Sequence, residues 1–293
     1  MIDVIWDMET GDPDDYFTLL LLIGHPKVNL KAVTITPGAT DQVGFIRRTF
    51  EAFGLYNFPI GAFNIDHPKK CVSNWYYKTY GETNIKPSTD AKLGADIIYE
   101  NCDENTTIIT GGPLKNLGAA VRKYPDLKID RLVAQGGFAG QGVVPEELQL
   151  EKFKGMVTCP TYNLNGDPKA GLDVLKCDQI RVKRFVSKNV CHGVYYDNEL
   201  HQKLMAIENL HEYKHLRMIK SGMGVYLKKH PSGKKFHDPL AACAAIDESV
   251  IEWREVEIFR EKGKWGSKLS PGSGIWISID YNKDAFEKVL FEH

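Results

Sequence analysis

Five carboxylates follow an apolar run in the stretch VIWDMETGDPDD, residues 4–15, and they crowd into nine positions. They are Asp7, Glu9, Asp12, Asp14 and Asp15. Acidic residues at a helix start interact favourably with the helix dipole, and each stabilises the helix by about 0.3–1 kcal/mol. This effect alone would explain the presence of Asp12 and one neighbouring carboxylate. The other carboxylates should raise one another's pKa unless a cation offsets them. Because an all-oxygen cluster suits calcium or magnesium better than zinc, the loop predicts a metal site.

Two later stretches have residue types that can join such a site. KFHDPLAACAAID, residues 235–247, places His237 and Asp238 before Pro239 at a predicted helix start. An Asp in this position is most often only a helix cap, but the pair can also supply a metal oxygen and a proton donor. In IITGGPLKNLGAAV, residues 108–121, a Gly-Gly turn follows a strand, so the backbone can approach a ligand closely and offer a carbonyl.

The overall composition narrows the class of protein. The 293 residues carry 37 Lys and Arg against 38 Asp and Glu, so there is no basic excess for a nucleic-acid or membrane surface. Six scattered cysteines without a CxxC pair indicate reduced thiols. The apolar run FTLLLLI near the start is too short to span a bilayer, and no secretory signal pattern is visible. We expect a cytoplasmic protein.

Strand-like and helix-like segments alternate along most of the chain, which predicts one α/β domain, residues 1–293. Its sheet should be mostly parallel, doubly wound and open, with helices on both faces. Strands are predicted at 2–6, 30–36, 106–110, 131–137, 179–187 and 275–280. Helices are predicted near 14–24, 41–54, 90–102, 113–124, 167–176, 197–207, 238–246 and 282–291. Ligands of such sheets bind beyond the carboxyl ends of strands, where Asp7 would lie.

The segment 62–88 is longer and less periodic than its surroundings and is rich in aromatic residues. These are Trp75, Tyr76, Tyr77 and Tyr80. They could close over a ligand as a stacking lid, or they could simply pack a long loop onto the body of the domain. We predict a lid-like insertion around 62–88.

Five motifs in this chain resemble, in the same order, those of the calcium-dependent nucleoside hydrolase family, the inosine–uridine-preferring N-ribohydrolases. The loop DMETGDPDD (7–15) is similar to the family's Asp-x-Asp-Pro-Gly-x-Asp-Asp, and GGPLKN (111–116) to its Gly-Pro-Leu-Thr-Asn turn. TYNLNGDPKAG (161–171) resembles its Glu-Phe-Asn segment, and NVCH (189–192) its Asp-Val-Thr-His. HDPLA (237–241) matches directly. The resemblance implies a divergent member of the family.

The resemblance also implies an activity and a set of residue roles. The enzyme would hydrolyse the N-glycosidic bond of a ribonucleoside, using water bound to one Ca²⁺. The implied metal ligands are the carboxylates of Asp7, Asp15 and Asp238 and the carbonyl of Gly111, with Thr110 as the near alternative. The implied substrate contacts are Asp14 to the ribose hydroxyls, Asn163 to the sugar, and Glu9, Thr161 and Trp75 around them. We further expect a homo-oligomer, a dimer or tetramer.

Two residues are predicted to move protons in that reaction. Asp7 would take the proton of the attacking water, and His237 would protonate the leaving base. His237 could instead only pack beside Asp238. The remaining histidines form no spacing that indicates a site, and His192, which ends the NVCH motif, is the one of most interest.

Several departures from the family pattern fall on the sugar contacts. The acidic loop is one residue longer and has Glu9 where a second Asp is usual. The family's Val-Ala-Gly-Asn is replaced by a segment ending in Ala39, so a ribose-binding Asn is missing, and Thr40 or Asp41 could substitute. The Glu of Glu-Phe-Asn is Thr161 here. These changes allow a ribose substituted at 5′ or an unusual base.

Two other functions remain open at this point. The Asp7-Met8-Glu9-Thr10 run imitates the Asp-x-Asp-x-Thr motif of a haloacid-dehalogenase-type Mg²⁺ phosphohydrolase, which has no role for His237 and Asp238. The missing Asn at position 39 favours a non-catalytic binder of Ca²⁺ or a nucleoside. Neither alternative implies a nucleic acid or a membrane as partner.

Overall fold

The computed structural model describes residues 1–80 and 85–293, and one sheet of eleven strands forms the centre of this described part. Its strands are β1 (Ile2–Met8), β2 (Val28–Ile35), β3 (Ile60–Ala62), β4 (Lys92–Leu93), β5 (Thr107–Thr110), β6 (Ile129–Gln135), β7 (Thr158–Cys159), β8 (Ile180–Val186), β11 (Ile251–Glu261), β12 (Lys264–Leu269) and β13 (Ile275–Tyr281). A separate antiparallel pair consists of β9 (Tyr195–Tyr196) and β10 (Lys234–Lys235).

The order of the strands confirms the prediction of a mostly parallel sheet. It is β4-β3-β2-β1-β5-β6-β8-β13-β11-β12-β7, and all pairs from β4 to β13 are parallel. Strand β1 lies in the interior of this run, and its consecutive residues Val4, Ile5 and Trp6 have no exposed surface. Such unbroken burial is expected where helices cover both faces of a parallel sheet.

Helices cover the sheet on both sides, as predicted. They are α1 (Pro13–Gly24), α2 (Thr40–Ala52), α3 (Asn74–Tyr80), α4 (Gly94–Asn101), α5 (Lys115–Lys123), α6 (Tyr162–Gly166), α7 (Pro168–Lys176), α8 (Lys188–Cys191), α9 (Asn198–Met205), α10 (Lys214–Lys229), α11 (His237–Ile246) and α12 (Lys283–Leu290). One core joins α1, α10 and α11 to the sheet face of Val4 and Trp6, and a second joins α4, α5 and α7 to the face of Ile5. Within the described residues, every helix is too short or too polar to cross a membrane.

The sequence did not predict helix α10 or the antiparallel strands β11 and β12. Helix α10 contains Gly222 and Gly224, and each interior glycine lowers helix propensity by about 1 kcal/mol relative to alanine. Strand β11 is mostly half-buried or exposed and carries six charged residues. It therefore lacks the apolar run that revealed the central strands.

The aromatic part of the predicted 62–88 insertion packs onto the body of the domain. Tyr76 is 1% exposed, its ring centroid lies 5.2 Å from that of Tyr16 in α1, and its hydroxyl donates to the carbonyl of Asp12. Trp75 is half-buried and meets the Tyr226 ring of α10 at 6.3 Å. Residues 81–84 of the insertion lie outside the described residues. For Tyr76, these contacts favour the packing role over the lid role, while the insertion as a lid stays a prediction.

Helices α5 and α7 pack closely against each other at Gly118. A Cβ on Gly118 of α5 would lie 2.5 Å from the Cβ and 2.9 Å from the Cα of Ala170 in α7. Ala170 has no exposed surface, so the neighbouring backbone has little room to move. Only glycine allows this separation of the two helices.

Replacing this glycine should therefore destabilise the fold. We expect Gly118→Ala to lower the free energy of unfolding by about 1–3 kcal/mol because the helices must separate. Gly224→Ala is the matched control: it is also a helical glycine, but its Cβ would be no closer than 3.4 Å to any neighbour. Urea denaturation should show this control raising the stability by about 0.5–1 kcal/mol. Equal effects of the two substitutions would contradict the close packing at Gly118.

Candidate active site

A polar pocket of about 420 Å³ opens at the carboxyl edge of the parallel strands. The acidic loop after β1, the turn after β5, the end of β6 and the starts of α6 and α11 all contribute to it. Its lining residues are Glu9, Gly11, Asp12, Asp14, Asp15, Gly111, Gln135, Tyr162, Asn163, His237 and Asp238. The structure thus brings together the three sequence segments that were predicted to share one site.

Asp7 lies at the end of β1 with no exposed surface. Its Oδ1 accepts hydrogen bonds from Thr34 Oγ1 at 2.7 Å and from Asn116 Nδ2 at 2.8 Å, which fix the carboxylate against β2 and α5. Its Oδ2 is buried and has no hydrogen-bond partner. Burial raises the pKa of Asp7 to about 7, although both hydrogen bonds oppose that rise.

Asp15 and Asp238 come from the starts of α1 and α11, and their buried carboxyl groups lie within hydrogen-bonding reach of each other. Burial and then repulsion from Asp14 raise the pKa of each well above its usual value. Asp15 Oδ2 also accepts from the backbone N–H of Asp12 at 2.9 Å. A pair of buried carboxyls in contact requires either a shared proton or a cation.

Glu9 extends the same negative region toward the pocket opening. Burial, followed by repulsion from Asp7, raises the pKa of Glu9 to about 7, while Lys115 lowers it. Without a bound cation, its carboxyl group therefore keeps its proton to a higher pH than a solvent-exposed glutamate does.

Asp14 is paired with a buried lysine that sequence analysis missed. Lys234 Nζ lies 3.1 Å from Asp14 Oδ1 and 3.0 Å from Asp12 Oδ2, and the lysine side chain is 8% exposed. Asp14 Oδ2 accepts from the backbone N–H groups of His237 at 3.0 Å and Asp238 at 3.4 Å. Lys234 belongs to the short strand β10 and to no recognised motif, so no local signal could have revealed it.

The turn after β5 approaches the acidic cluster so closely that a side chain would not fit. A Cβ on Gly111 would lie 2.3 Å from Asp238 Oδ2 and 2.5 Å from the Trp6 ring. The Gly111 carbonyl accepts from Asn163 Nδ2 at 3.0 Å and keeps a second lone pair. Gly111, whose carbonyl is the predicted ligand, therefore lies with its backbone close to the predicted carboxylate ligand Asp238.

Gln135 and Tyr162 also line the pocket and were not predicted. Gln135 is the last residue of β6, and its Oε1 lies 2.7 Å from Asn163 Nδ2. The rule that ligands bind beyond strand ends could have found Gln135. Tyr162 is 75% exposed at the start of α6, where its ring borders the opening.

His237 stands between the acidic cluster and a second group of side chains. Its ring stacks on His192 with centroids 4.9 Å apart, and ligand atoms of these two histidines and Cys191 lie within 4.8 Å of one another. Burial lowers the pKa of His237 to about 4 and that of His192 to about 3. Both imidazoles are therefore neutral at pH 7, and His237 Nε2 is buried without a hydrogen-bond partner.

Two places near His237 could in principle hold a cation, and the acidic cluster fits one better. Lys152 Nζ lies 2.8 Å from His192 Nδ1, so an ammonium already contacts the Cys191–His192–His237 group. Burial also raises the Cys191 pKa to about 12, which disfavours the thiolate that a metal needs. The acidic cluster instead offers the unpartnered Asp7 Oδ2 and oxygen ligands that suit a hard dication.

Other predicted residues lie around this centre. Thr161 is buried, and its Oγ1 has no hydrogen-bond partner. Asp41 Oδ2 accepts from the backbone N–H groups of Cys71 and Val72 at 2.8 and 2.9 Å, so this carboxylate holds the 71–72 loop. Among the described residues that line the pocket, Trp75 does not appear, and its substrate contact stays a prediction.

Comparisons with known proteins place the chain among nucleoside hydrolases. The family model described as inosine-uridine preferring nucleoside hydrolase matches residues 4–286. The pyrimidine-specific ribonucleoside hydrolase RihA of Enterobacter sp. (strain 638) is 27% identical over 208 residues, which are 63% of this chain and 65% of that protein. RihA of Shewanella sp. (strain MR-7) is 26% identical over 198 residues, 60% of this chain and 61% of that protein. The chain thus aligns with less than two thirds of these relatives' length.

Solved structures show the same fold at low sequence identity. An inosine-guanosine nucleoside hydrolase has a TM-score of 0.73 at 18% identity, covering 100% of this chain and 98% of that one. A purine-preferring ribonucleoside hydrolase from Gardnerella vaginalis has a TM-score of 0.68 at 15% identity, with 99% and 97% covered.

The family match spans nearly all of the chain and includes all five motifs that carried the resemblance. It excludes the haloacid-dehalogenase alternative, whose nucleophile motif was imitated at Asp7 to Thr10. The chain belongs to the inosine–uridine-preferring nucleoside hydrolase family.

Proposed function

We propose that this protein hydrolyses the N-glycosidic bond of a ribonucleoside to give the free base and ribose. The observation that carries the proposal is the buried carboxylate cluster beside the pocket, with Asp7 Oδ2 left unpartnered, in a chain of this family. Cleaving this bond requires a water nucleophile, stabilisation of positive charge on the sugar, and a proton for the leaving base. The pocket has a residue suited to each requirement.

We propose calcium as the metal, held by the carboxylates of Asp7, Asp15 and Asp238 and the Gly111 carbonyl. Hard oxygen ligands and the close approach at Gly111 support this set. When bound, the cation would orient a water and lower its pKa.

The chain's own carboxylates would carry the water and sugar steps. Asp7 is held rigidly by Thr34 and Asn116, which position its carboxylate to accept a proton from a water. Its raised pKa belongs to the metal-free site and would fall beside a bound cation, so the metal would supply most of the activation of the water. Asp14 and Glu9 would stabilise positive charge developing on the sugar, and Asp14 would also accept from a ribose hydroxyl. Asn163, fixed by Gln135, would orient the sugar.

His237 would serve the leaving base. Its unpartnered Nε2 is available to the leaving base. Because burial lowers the pKa of His237 to about 4, the neutral imidazole must first take up a proton from solvent before it can pass one to a ring nitrogen as the bond breaks. Burial among apolar and cationic neighbours keeps this histidine from holding a permanent charge before substrate binds.

The preferred base, the oligomeric state and the cellular location are less closely defined than the reaction. Similar proteins are described as pyrimidine-specific, purine-preferring and inosine-guanosine enzymes, so the base preference of this chain is left open. A homo-oligomer, dimer or tetramer, and a cytoplasmic location stay predictions. Light scattering of the purified protein would test the first, and cell fractionation the second.

A direct assay separates the proposal from the remaining alternative. We expect ribose release from a mixture of nucleosides with Ca²⁺, and a loss of about 10²–10⁴-fold in kcat for Asp7→Asn. Asn can still accept from Thr34, so the variant should remain folded. Metal-dependent stabilisation without any ribose release would instead support the non-catalytic binder.

Removing the metal should destabilise the protein in a pH-dependent way. The raised pKa values of Asp7 and Glu9 mean that the metal-free fold binds protons up to about pH 7 and loses stability as these groups ionise. Bound Ca²⁺ would stabilise the ionised forms. The drop in Tm caused by a chelator should therefore be larger at about pH 8 than at about pH 6.

Thermal melts with and without chelator would measure this effect. Asp15→Asn should abolish the sensitivity to chelator, whereas Asp173→Asn, at a surface carboxylate paired with Arg122, should retain it. If the chelator leaves the Tm of the unmutated protein unchanged at both pH values, the calcium site is contradicted.

The role of His237 can be isolated through the leaving group. His237→Ala should slow natural nucleosides by about 10²–10⁴-fold, the usual range for a lost general acid. It should slow p-nitrophenyl riboside far less, because nitrophenolate leaves without protonation. Comparing kcat/KM for both substrates measures the difference, and equal losses would indicate that His237 only packs the site.

A further inference from the structure

Three lysines converge on the side of His237 opposite the acidic cluster. They are Lys152 of the Glu151–Phe153 turn, Lys188 at the start of α8, and Lys235 at the end of β10, and we refer to them as the lysine cluster. They come from three separate parts of the sequence, so their proximity is produced by the fold.

The contacts around His192 define the cluster. Lys152 Nζ lies 2.8 Å from His192 Nδ1, and the Nζ atoms of Lys152 and Lys188 lie 5.0 and 5.9 Å from the ring centre of Phe153. Burial is the largest cause of the lowered pKa of both His192 and Lys152; the three ammonium groups lower the pKa of His192 further, and Lys235 and Lys188 lower that of Lys152. The ammonium groups are therefore close enough to repel one another.

No carboxylate balances this charge among the residues that the structure describes. None of the three lysines has an Asp or Glu oxygen within 4.0 Å there, and Lys188 Nζ donates to the Pro160 carbonyl instead. The nearby Lys154 differs, since its Nζ pairs with Glu151 at 2.8 Å. Converging like charges beside a pocket are unfavourable unless an anion binds there.

The cluster adjoins the pocket through two stacked histidine rings. His192 stacks on His237 at 4.9 Å, and His237 lines the pocket. The backbone N–H of His237 donates to Asp14 on the acidic side. The pocket therefore has negative charge on one side of His237, while the positive charge of the lysine cluster lies on the other side, beyond His192.

We propose that the lysine cluster binds a phosphomonoester of the substrate, so that the preferred substrate is a nucleoside 5′-monophosphate rather than a neutral nucleoside. A phosphate dianion can balance more than one ammonium and accept several hydrogen bonds, which a single carboxylate does less well. This inference rests on the proposed N-glycosidic hydrolysis and narrows its substrate. The same bond is cleaved, and ribose 5-phosphate replaces ribose as product.

The test compares base release from a nucleoside and from its 5′-monophosphate, in kcat/KM. We expect the wild-type protein to prefer the monophosphate by about tenfold or more, the effect of one charge-assisted hydrogen bond. The double variant Lys152→Gln/Lys235→Gln should lose most of this preference. Lys154→Gln removes a neighbouring lysine outside the cluster and should keep it. A wild-type protein that prefers the neutral nucleoside would overturn the proposal.

A binding measurement separates failure of this subsite from failure of the proposed reaction. Calorimetry should show ribose 5-phosphate binding about tenfold more tightly than ribose, with the difference lost in the double variant and kept in Lys154→Gln. This result would support the phosphate subsite whether or not the base is released. Absence of base release would reject only the proposed hydrolase activity. Equal binding of the two sugars would overturn the subsite. Faster nucleoside cleavage with inorganic phosphate, without any monophosphate preference, would overturn the substrate assignment.

Discussion

The burial of several carboxylates at the end of β1 is the constraint on which the site depends. Asp7, Asp15 and Asp238 have little or no exposed surface, and their pKa values are raised by burial before any other cause. A protein retains such a cluster only if protons, internal cations or a bound metal compensate it. This chain supplies part of that compensation itself through Lys234, which is buried against Asp12 and Asp14. Asp7 Oδ2, in contrast, is buried and receives no hydrogen bond from the chain.

The same constraint organises charge across the pocket. His237 begins helix α11 next to Asp238, and its backbone N–H binds Asp14, so it is fixed at the border of the acidic region. Its ring contacts His192, which in turn contacts Lys152. The neutral imidazoles of His237 and His192 therefore separate the acidic carboxylates from the ammonium group of Lys152. Such a polarised site can orient a ligand that has a polar sugar at one end and an anionic group at the other.

The sequence predicted those parts of the fold and site that local pattern determines. Strand β1 was visible because its burial on both faces requires an apolar run, and Asp7 because it ends that run. Asp15 and Asp238 were visible because they lie in motifs at helix starts. Lys234 and the lysine cluster were missed because their neighbours come from distant segments, and nothing in their own sequence distinguishes them from surface lysines. Asp41, which the sequence offered as a substitute for the missing ribose-binding Asn, ties the 71–72 loop to α2 through its Oδ2, and its contact with the sugar stays a prediction.

The missing sugar contacts can be understood from the hydrogen bonds of Asp14 and of the turn at Ala39. The Ala39 backbone N–H donates to Gln42 Oε1, and Gln42 Nε2 donates to Thr10, so this turn is tied to the acidic loop without a side chain at position 39. A carboxylate has about four acceptor sites. Asp14 uses three of them, for Lys234 and for the N–H groups of His237 and Asp238. One site therefore remains for a single ribose hydroxyl. A sugar held by fewer neutral hydrogen bonds would gain more from an ionic contact elsewhere, which is what the lysine cluster offers.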